Sequence, residues 1–374
     1  MKIFQPTLRL YFIVSCFSCA QQNTPPIQTP SKQHYSLELV AADPGILWGM
    51  AFISETEILA TEKGGILYYF NQGIKQKIKG VPEVYVRGQG GLLDVALDPE
   101  YNKNHVIYLT LASSQGEDSG GNTALYRATL VENKRLEKVA LLYKATPNSR
   151  KGQHWGSRIV FDRLGHLYFG IGDRGNREVN PQDLSRDGGK IYRLNLDGSI
   201  PEDNPFTHKS GAKSAIFSYG HRNPQGMATH PQTGEIWVNE HGPRGGDEIN
   251  RIAAGKNYGW PIITYGINYS GTPISMKTEQ EGMEQPFYYW VPSIAPSGFA
   301  ILNSNKYPDW QGDFFVGSLK FEYLERLIIK NNRVVGREKI APGVGRVRNV
   351  QQSPEGYLYL SVEGQGIYKI VPDS

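Results

Sequence analysis

The amino-acid sequence predicts an all-β chain folded as a six-bladed β-propeller of four-stranded antiparallel blades, and three observations carry that expectation. Six times a polar or charged cluster is followed by a short apolar unit, with starts at residues 51, 95, 159, 227, 300 and 350. Most units then pass through a short Asp, Ser, Pro or Gly turn into a second apolar stretch, as a hairpin does. The starts are 44, 64, 68, 73 and 50 residues apart, which suits a four-stranded blade with variable loops.

Each unit is rich in β-branched, aromatic or aliphatic residues. Ala51-Phe52 leads to Glu57-Ile58-Leu59-Ala60, Val95-Ala96-Leu97 to Val106-Ile107-Tyr108-Leu109, and Ile159-Val160-Phe161 to Leu167-Tyr168-Phe169. Met227-Ala228 leads to Glu235-Ile236-Trp237-Val238, Ala300-Ile301-Leu302 to Phe314-Phe315-Val316, and Val350 to Tyr357-Leu358-Tyr359-Leu360. The 42 Gly, 23 Pro and 22 Tyr among 374 residues suit such a turn-rich chain. That length exceeds the usual single-domain prior, but a propeller spreads one architecture over many blade contacts.

Ahead of the propeller, Met1-Lys2 precedes an apolar stretch, Leu10 to Phe17, too short to span a bilayer. The expected organisation is a signal peptide over 1–19, a flexible Gln-, Pro-, Thr- and Ser-rich linker over 20–36, and the propeller over 37–374. Both cysteines, Cys16 and Cys19, lie in the leader, so the folded part has no disulfide. Ser18-Cys19-Ala20 resembles a bacterial lipoprotein cleavage site, with Cys16 a competing lipidation point and an ordinary secretory leader the alternative. The protein is expected to be exported, periplasmic or anchored to the envelope. The formal charge of +4, from 40 basic and 36 acidic residues, is nearly balanced and argues against a nucleic-acid partner.

In a propeller the innermost strand begins each blade, so the residues just before it surround one mouth of the axial channel. Those residues are Trp48, Gln89, His154, Arg222-Asn223, Ser293, and Arg346 with Arg348. With Lys320, at the end of the fifth hairpin, the ring holds four cations and suits a polyanionic small molecule. Arg346 and Arg348 alternate on a strand, so solvated or structural charges are the other reading. Asp173 follows His154 by one hairpin. It returns beside the imidazole and can fix the tautomer that makes the other ring nitrogen a general base. The loop from Asn239 to Glu248 combines Gly242-Pro243 carbonyls with carboxylates, a donor set suited to Ca²⁺. An acidic turn without metal is the alternative; His241 has no second His or Cys at zinc-ligand spacing.

These strings resemble the soluble quinoprotein sugar dehydrogenases, in particular their aldose sugar dehydrogenase branch. The resemblance runs over about residues 37–372. It rests on Trp48 to Phe52, Gly88 to Val95, His154 to Asp173, Ser218 to Gly226, Glu240 to Asn250, Asn257 to Pro261, Val291 to Ser297 and Arg346 to Asn349. It implies pyrroloquinoline quinone (PQQ) and Ca²⁺ as cofactors, an aldose substrate oxidised at C1 to the lactone, and an external electron acceptor, either a quinone or a redox protein. By that resemblance His154 is the base, Asp173 its orienting partner, and Arg222 the stabiliser of negative charge on the quinone oxygen. Gln89 would contact sugar or cofactor, while Asn223 and Ser293 would bond cofactor oxygens and Lys320, Arg346 and Arg348 its carboxylates. Gly242 and Pro243 would offer carbonyls to the catalytic ion, and Glu248 and the Tyr258 carbonyl would hold a structural one.

Three positions depart from the best-known glucose dehydrogenase branch. Gln153 replaces an acid before the base, Ser293 a threonine, and Asn268 a calcium-binding aspartate. These differences favour the aldose sugar dehydrogenase branch. Other readings are a calcium-dependent lactonase-type hydrolase and a propeller that binds sugar or protein without chemistry. The first needs several carboxylates around an exposed metal; the second has no use for a His–Asp pair. No GxGxxG follows a strand and opens a helix, which argues against nicotinamide and flavin. The chain is expected to act as a monomer or homodimer.

Overall fold

Six antiparallel four-stranded arrays succeed one another along the computed structural model, which describes Ile27–Gln28 and residues 33–373. The predicted apolar units lie in the innermost strands, Leu47–Phe52, Leu92–Leu97, Ile159–Phe161, Pro224–Thr229, Pro296–Ile301 and Val347–Gln352. The second stretches form the adjacent strands, Glu57–Glu62, Val106–Ser113, His166–Ile171, Ile236–Glu240, Phe314–Ser318 and Leu358–Val362. The architecture is the expected six-bladed propeller.

Inner strands read as short continuous apolar runs because both of their faces are covered. Every residue of Leu47–Phe52 and of Pro296–Ile301 is buried. Six apolar clusters fill the six gaps between neighbouring blades. Leu59, Leu92 and Leu109 join the first blade to the second, and Ile58, Tyr359 and Ile367 join the sixth to the first. A fully buried Leu or Phe contributes roughly 1.5–3 kcal/mol, so the gaps hold the blades together without a cross-link.

Hydroxyl groups staple successive blades through backbone carbonyls. Thr110 Oγ1 donates to Ser157 O at 2.7 Å, Ser297 Oγ to Val347 O at 2.6 Å, and Ser361 Oγ to Leu47 O at 2.8 Å. The ring closes through the chain's own start: Tyr35–Ala42 supplies the outer strand of the sixth blade, antiparallel to Gly366–Pro372. That strand overlaps the start of the expected propeller segment. Within the stretch expected to be a tether, Ile27–Gln28 pairs in parallel with Gly336–Arg337. The expected leader, 1–19, lies outside the described residues. Among the described residues no helix is long and apolar enough to cross a membrane.

Candidate active site

The loops ahead of the inner strands enclose a cavity of about 1120 Å³ at one mouth of the channel. Trp48, Gln89, Asn223, Gly242, Pro243, Ser293, Lys320, Arg346 and Arg348 all line it. His154 sits at its edge, between Gln89 and Trp155 of the wall, with its side chain 15% exposed. Arg222, Glu248 and Tyr258 line a second, much smaller cavity of about 10 Å³, which shares Gly242 with the first.

The His154 Nδ1–H donates to Asp173 Oδ1 at 2.6 Å, so Nε2 carries the lone pair. Asp173 also accepts the Gly175 N–H at 2.7 Å and, through Oδ2, the Trp260 indole N–H at 2.9 Å. Burial pushes the imidazole below its ordinary value, against the bond to Asp173, and the nearby Arg222 and Arg174 cations push it further down. Burial would raise the Asp173 carboxyl, but the bond from His154 and the Arg222 charge hold it below its ordinary range. A neutral imidazole against a carboxylate results.

The loop bearing His154 is pinned from several sides. Its own N–H donates to Gln89 Oε1 at 2.8 Å, and its φ of 57° lies in the left-handed region that His tolerates better than most residues. Gly172 allows the approach, since a Cβ there would stand 2.5 Å from the His154 carbonyl oxygen. Arg174 stacks on Trp155 at 3.3 Å and donates to Lys151 O at 2.9 Å. The Gln89 carbonyl oxygen is thus taken by this loop, while the residue lines the cavity.

Arg222 Nη1 donates to the carbonyls of His241 and Gly242 at 3.0 and 2.9 Å, and its guanidinium lies 5.3 Å from the Trp260 ring. Its Nε–H is buried without a partner. Asn223 Oδ1 accepts from Gly156 N and Gln225 Nε2 at 3.4 and 3.3 Å. Ser293 gives its one hydroxyl proton to Asp247, at 2.6–2.7 Å from both carboxylate oxygens, so it can offer lone pairs to a ligand while that bond holds.

Arg346, just ahead of the sixth inner strand, and Arg348, within it, share an acid that carried no assignment from the sequence. Arg346 Nε and Arg348 Nε donate to Glu363 at 2.6 and 2.8 Å, and Arg348 Nη2 donates to it as well. Burial would raise Glu363, yet the two guanidinium groups hold it below its ordinary value. Lys320 is exposed at the rim, with its Nζ 4.9 Å from the Phe321 ring.

The loop after Glu240 folds back tightly, because Gly242 N donates to Asp247 Oδ1 at 2.8 Å and Gly246 N to Trp290 O at 2.8 Å. A Cβ on Gly242 would stand 2.3 Å from two loop carbonyl oxygens. Below it, Asn250 Nδ2 bridges Glu240 and Glu248 at 3.1 and 3.2 Å. Burial and the Glu240 charge push Glu248 up to about 8. Among the described residues no group of three or more His, Cys, Asp or Glu could hold a metal, so an ion here would lean on main-chain carbonyls.

The family model for glucose / sorbosone dehydrogenase matches residues 43–369. The chain belongs to that family. It is 42% identical over 336 residues to the aldose sugar dehydrogenase YliI of Escherichia coli (strain K12), across 87% of this chain and 90% of that one. The crystal structure of the soluble aldose sugar dehydrogenase from Escherichia coli in the apo-form matches with a TM-score of 0.85 and 37% identity, over 91% of this chain and 100% of that one. The PQQ-bound form of aldose sugar dehydrogenase from Streptomyces coelicolor matches with a TM-score of 0.74 and 26% identity, over 91% and 99%. This glucose/sorbosone dehydrogenase family member is a sugar oxidoreductase on a propeller scaffold.

Several residues inside the recognised strings make contacts that the strings alone did not reveal. Trp260 reaches Asp173 from 87 positions away. Asp247 gathers Gly242 N, Ile294 N, Ala295 N and Ser293 Oγ, although only its neighbour Glu248 was singled out. His241 faces Pro296 O through Nε2 at 2.6 Å, which makes Nε2 the protonated nitrogen, and burial keeps the ring neutral, down to about 3. Asn268, at the position of a calcium-binding aspartate in the resembling branch, accepts from Arg177 at 2.7 Å and braces its own turn.

Proposed function

We propose that the chain oxidises aldoses at C1 to the lactone, with PQQ and Ca²⁺ as cofactors, and passes the electrons to an external quinone or redox protein. The observation that carries this reading is the His154–Asp173 bond of 2.6 Å beside a cavity walled by Lys320, Arg346 and Arg348. A neutral imidazole with a free Nε2 is poised to take the C1 hydroxyl proton. PQQ, when bound, supplies the two-electron acceptor for the hydride from C1.

The residues present fit both groups. Three cations on one wall suit a tricarboxylate, and the unpartnered Arg222 Nε–H is a buried donor beside the mouth. Gln89 and Asn223 line the same cavity as orienting amides. The Gly242 carbonyl, though bonded to Arg222, keeps a second lone pair for a cation, and Pro243 O is its neighbour. The close Glu240–Glu248 pair, with the Tyr258 carbonyl, is the natural place for a structural Ca²⁺, which would relieve the repulsion between the two acids. A lactonase-type hydrolase would need several carboxylates in the cavity. Among the described lining residues Glu363 is the only acid.

Reconstitution tests the reading. Purified protein given PQQ, Ca²⁺ and an artificial electron acceptor should reduce it when glucose is added, with gluconolactone as product. Protein that binds PQQ yet turns over no aldose would sink it. Export and a lipid on Cys16 or Cys19 belong to the same proposal, checked by the mass of the mature N-terminal peptide.

A further inference from the structure

One aromatic ring at the cavity rim has no structural employment. Tyr269 lines the 1120 Å³ cavity and is 75% exposed. Its neighbour Tyr265 behaves differently, stacking on Tyr289 at 3.8 Å and donating to Gln285 at 2.7 Å. Among the described residues the Tyr269 ring makes no stacking contact or hydrogen bond of this kind. Ile267, 37% exposed, and Val291, 64% exposed, line the same cavity and extend the ring into an apolar ledge.

The turn that presents Tyr269 is braced on every side. Asn268 N donates to Thr272 O and Gly271 N to Asn268 O, both at 2.9 Å. The Asn268 side chain donates to Thr272 Oγ1 and Pro273 O, each at 3.1 Å, and accepts from Arg177 at 2.7 Å. Ile267 exchanges backbone bonds of 3.1 and 3.3 Å with Arg244, next to Gly242-Pro243. A bulky ring held in water on a fixed turn leaves apolar surface unburied, a cost that contact with a ligand offsets. Because the turn is already ordered, binding there loses little conformational entropy.

We propose that Tyr269 is the platform on which the carbon–hydrogen face of the sugar ring stacks, with Val291 and Ile267 extending it, so that it sets substrate affinity and not the chemical step. This rests on the aldose reading above and names a residue for its specificity. Pyranose rings present axial C–H bonds on one face, which can lie against the electron-rich face of an aromatic ring. The cavity of about 1120 Å³ exceeds the roughly 300–1,000 Å³ of a pocket for a single drug-sized ligand, as a site for a sugar beside a cofactor requires.

The test compares Tyr269→Ala and Tyr269→Phe with wild type in the PQQ- and Ca²⁺-loaded protein. Tyr269→Ala should raise KM for glucose about 3- to 10-fold while kcat and the PQQ dissociation constant stay within about twofold; Tyr269→Phe should keep the wild-type KM. Independently of turnover, saturation-transfer NMR with methyl β-glucoside, which has no free C1 hydroxyl, should show transfer to its ring protons that Tyr269→Ala removes. Wild-type turnover with an unchanged KM and unchanged transfer in Tyr269→Ala would overturn the platform alone. Absence of turnover with transfer still dependent on Tyr269 would overturn the dehydrogenase chemistry and leave the sugar platform standing.

Discussion

Trp260 holds Asp173 from the side opposite the His154 imidazole: its indole N–H reaches Oδ2 at 2.9 Å while His154 Nδ1 reaches Oδ1 at 2.6 Å. With both oxygens engaged, the carboxylate cannot rotate without breaking a buried bond. The orientation of His154 is therefore fixed from a distance by an indole in another blade.

Asp173→Asn should leave the backbone in place but offer His154 an amide in place of a carboxylate oxygen. An amide N–H facing Nδ1 forces the proton to Nε2 and removes the lone pair that serves as base. Turnover should fall by about 10³- to 10⁴-fold, the size seen when a triad carboxylate is changed in this way. Absorbance titration with PQQ should give an unchanged affinity; a loss of binding would mean that the substitution disturbed the mouth itself.

The pH profile follows from the same pair. Burial sets His154 below its ordinary 6.5, so the neutral base should persist through neutrality and kcat/KM should fall only as pH drops below that value. For stability the sign is the same. A histidine with a depressed folded pKa contributes stability above about 6.5 that is lost as pH falls through the folded value. A pH–rate profile with its acid limb above 7 would contradict the neutral, buried imidazole.

Glu363→Gln should destabilise the cofactor-free protein, because Arg346 and Arg348 would lose their shared counter-charge. Arg348 is 13% exposed and Arg346 47%, so the loss should be about 2 kcal/mol, below the cost of breaking a fully buried pair. PQQ carboxylates can take over the role of the missing acid. The rise in Tm on adding PQQ should therefore be larger in the variant than in wild type. Thermal melts with and without PQQ decide this; equal shifts would show that Glu363 does not share its arginines with the ligand.

The blades were legible because inner strands buried on both faces leave apolar runs that recur at blade spacing. His154 and Asp173 were legible because one hairpin brings them together. Glu363 obeys the same geometry, returning one hairpin after Arg348, with its N–H on Arg346 O at 3.0 Å. It was missed because the two arginines were paired with an external anion instead of with the strand beside them. Trp260 had no such local signal; its contact exists only once the third and fourth blades have closed on each other. The bond from Ser293 to Asp247 could not be read either, since the two lie 46 positions apart.

Calcium should act on stability as well as activity. Glu248 is half-buried beside Glu240, and both line a cavity of about 10 Å³ with Tyr258, close to the room one small ion or water needs. An ion bound there only in the folded state would stabilise it by about 2.7 kcal/mol at a hundredfold excess over its dissociation constant. Addition of Ca²⁺ to chelator-treated protein without PQQ should therefore raise Tm, and Glu248→Gln should abolish most of that rise. In the chelator the variant should be no weaker than wild type, because replacing one of two crowded carboxylates by an amide also removes their repulsion. A Ca²⁺-dependent rise in Tm of full size in Glu248→Gln would place the structural ion elsewhere in the propeller.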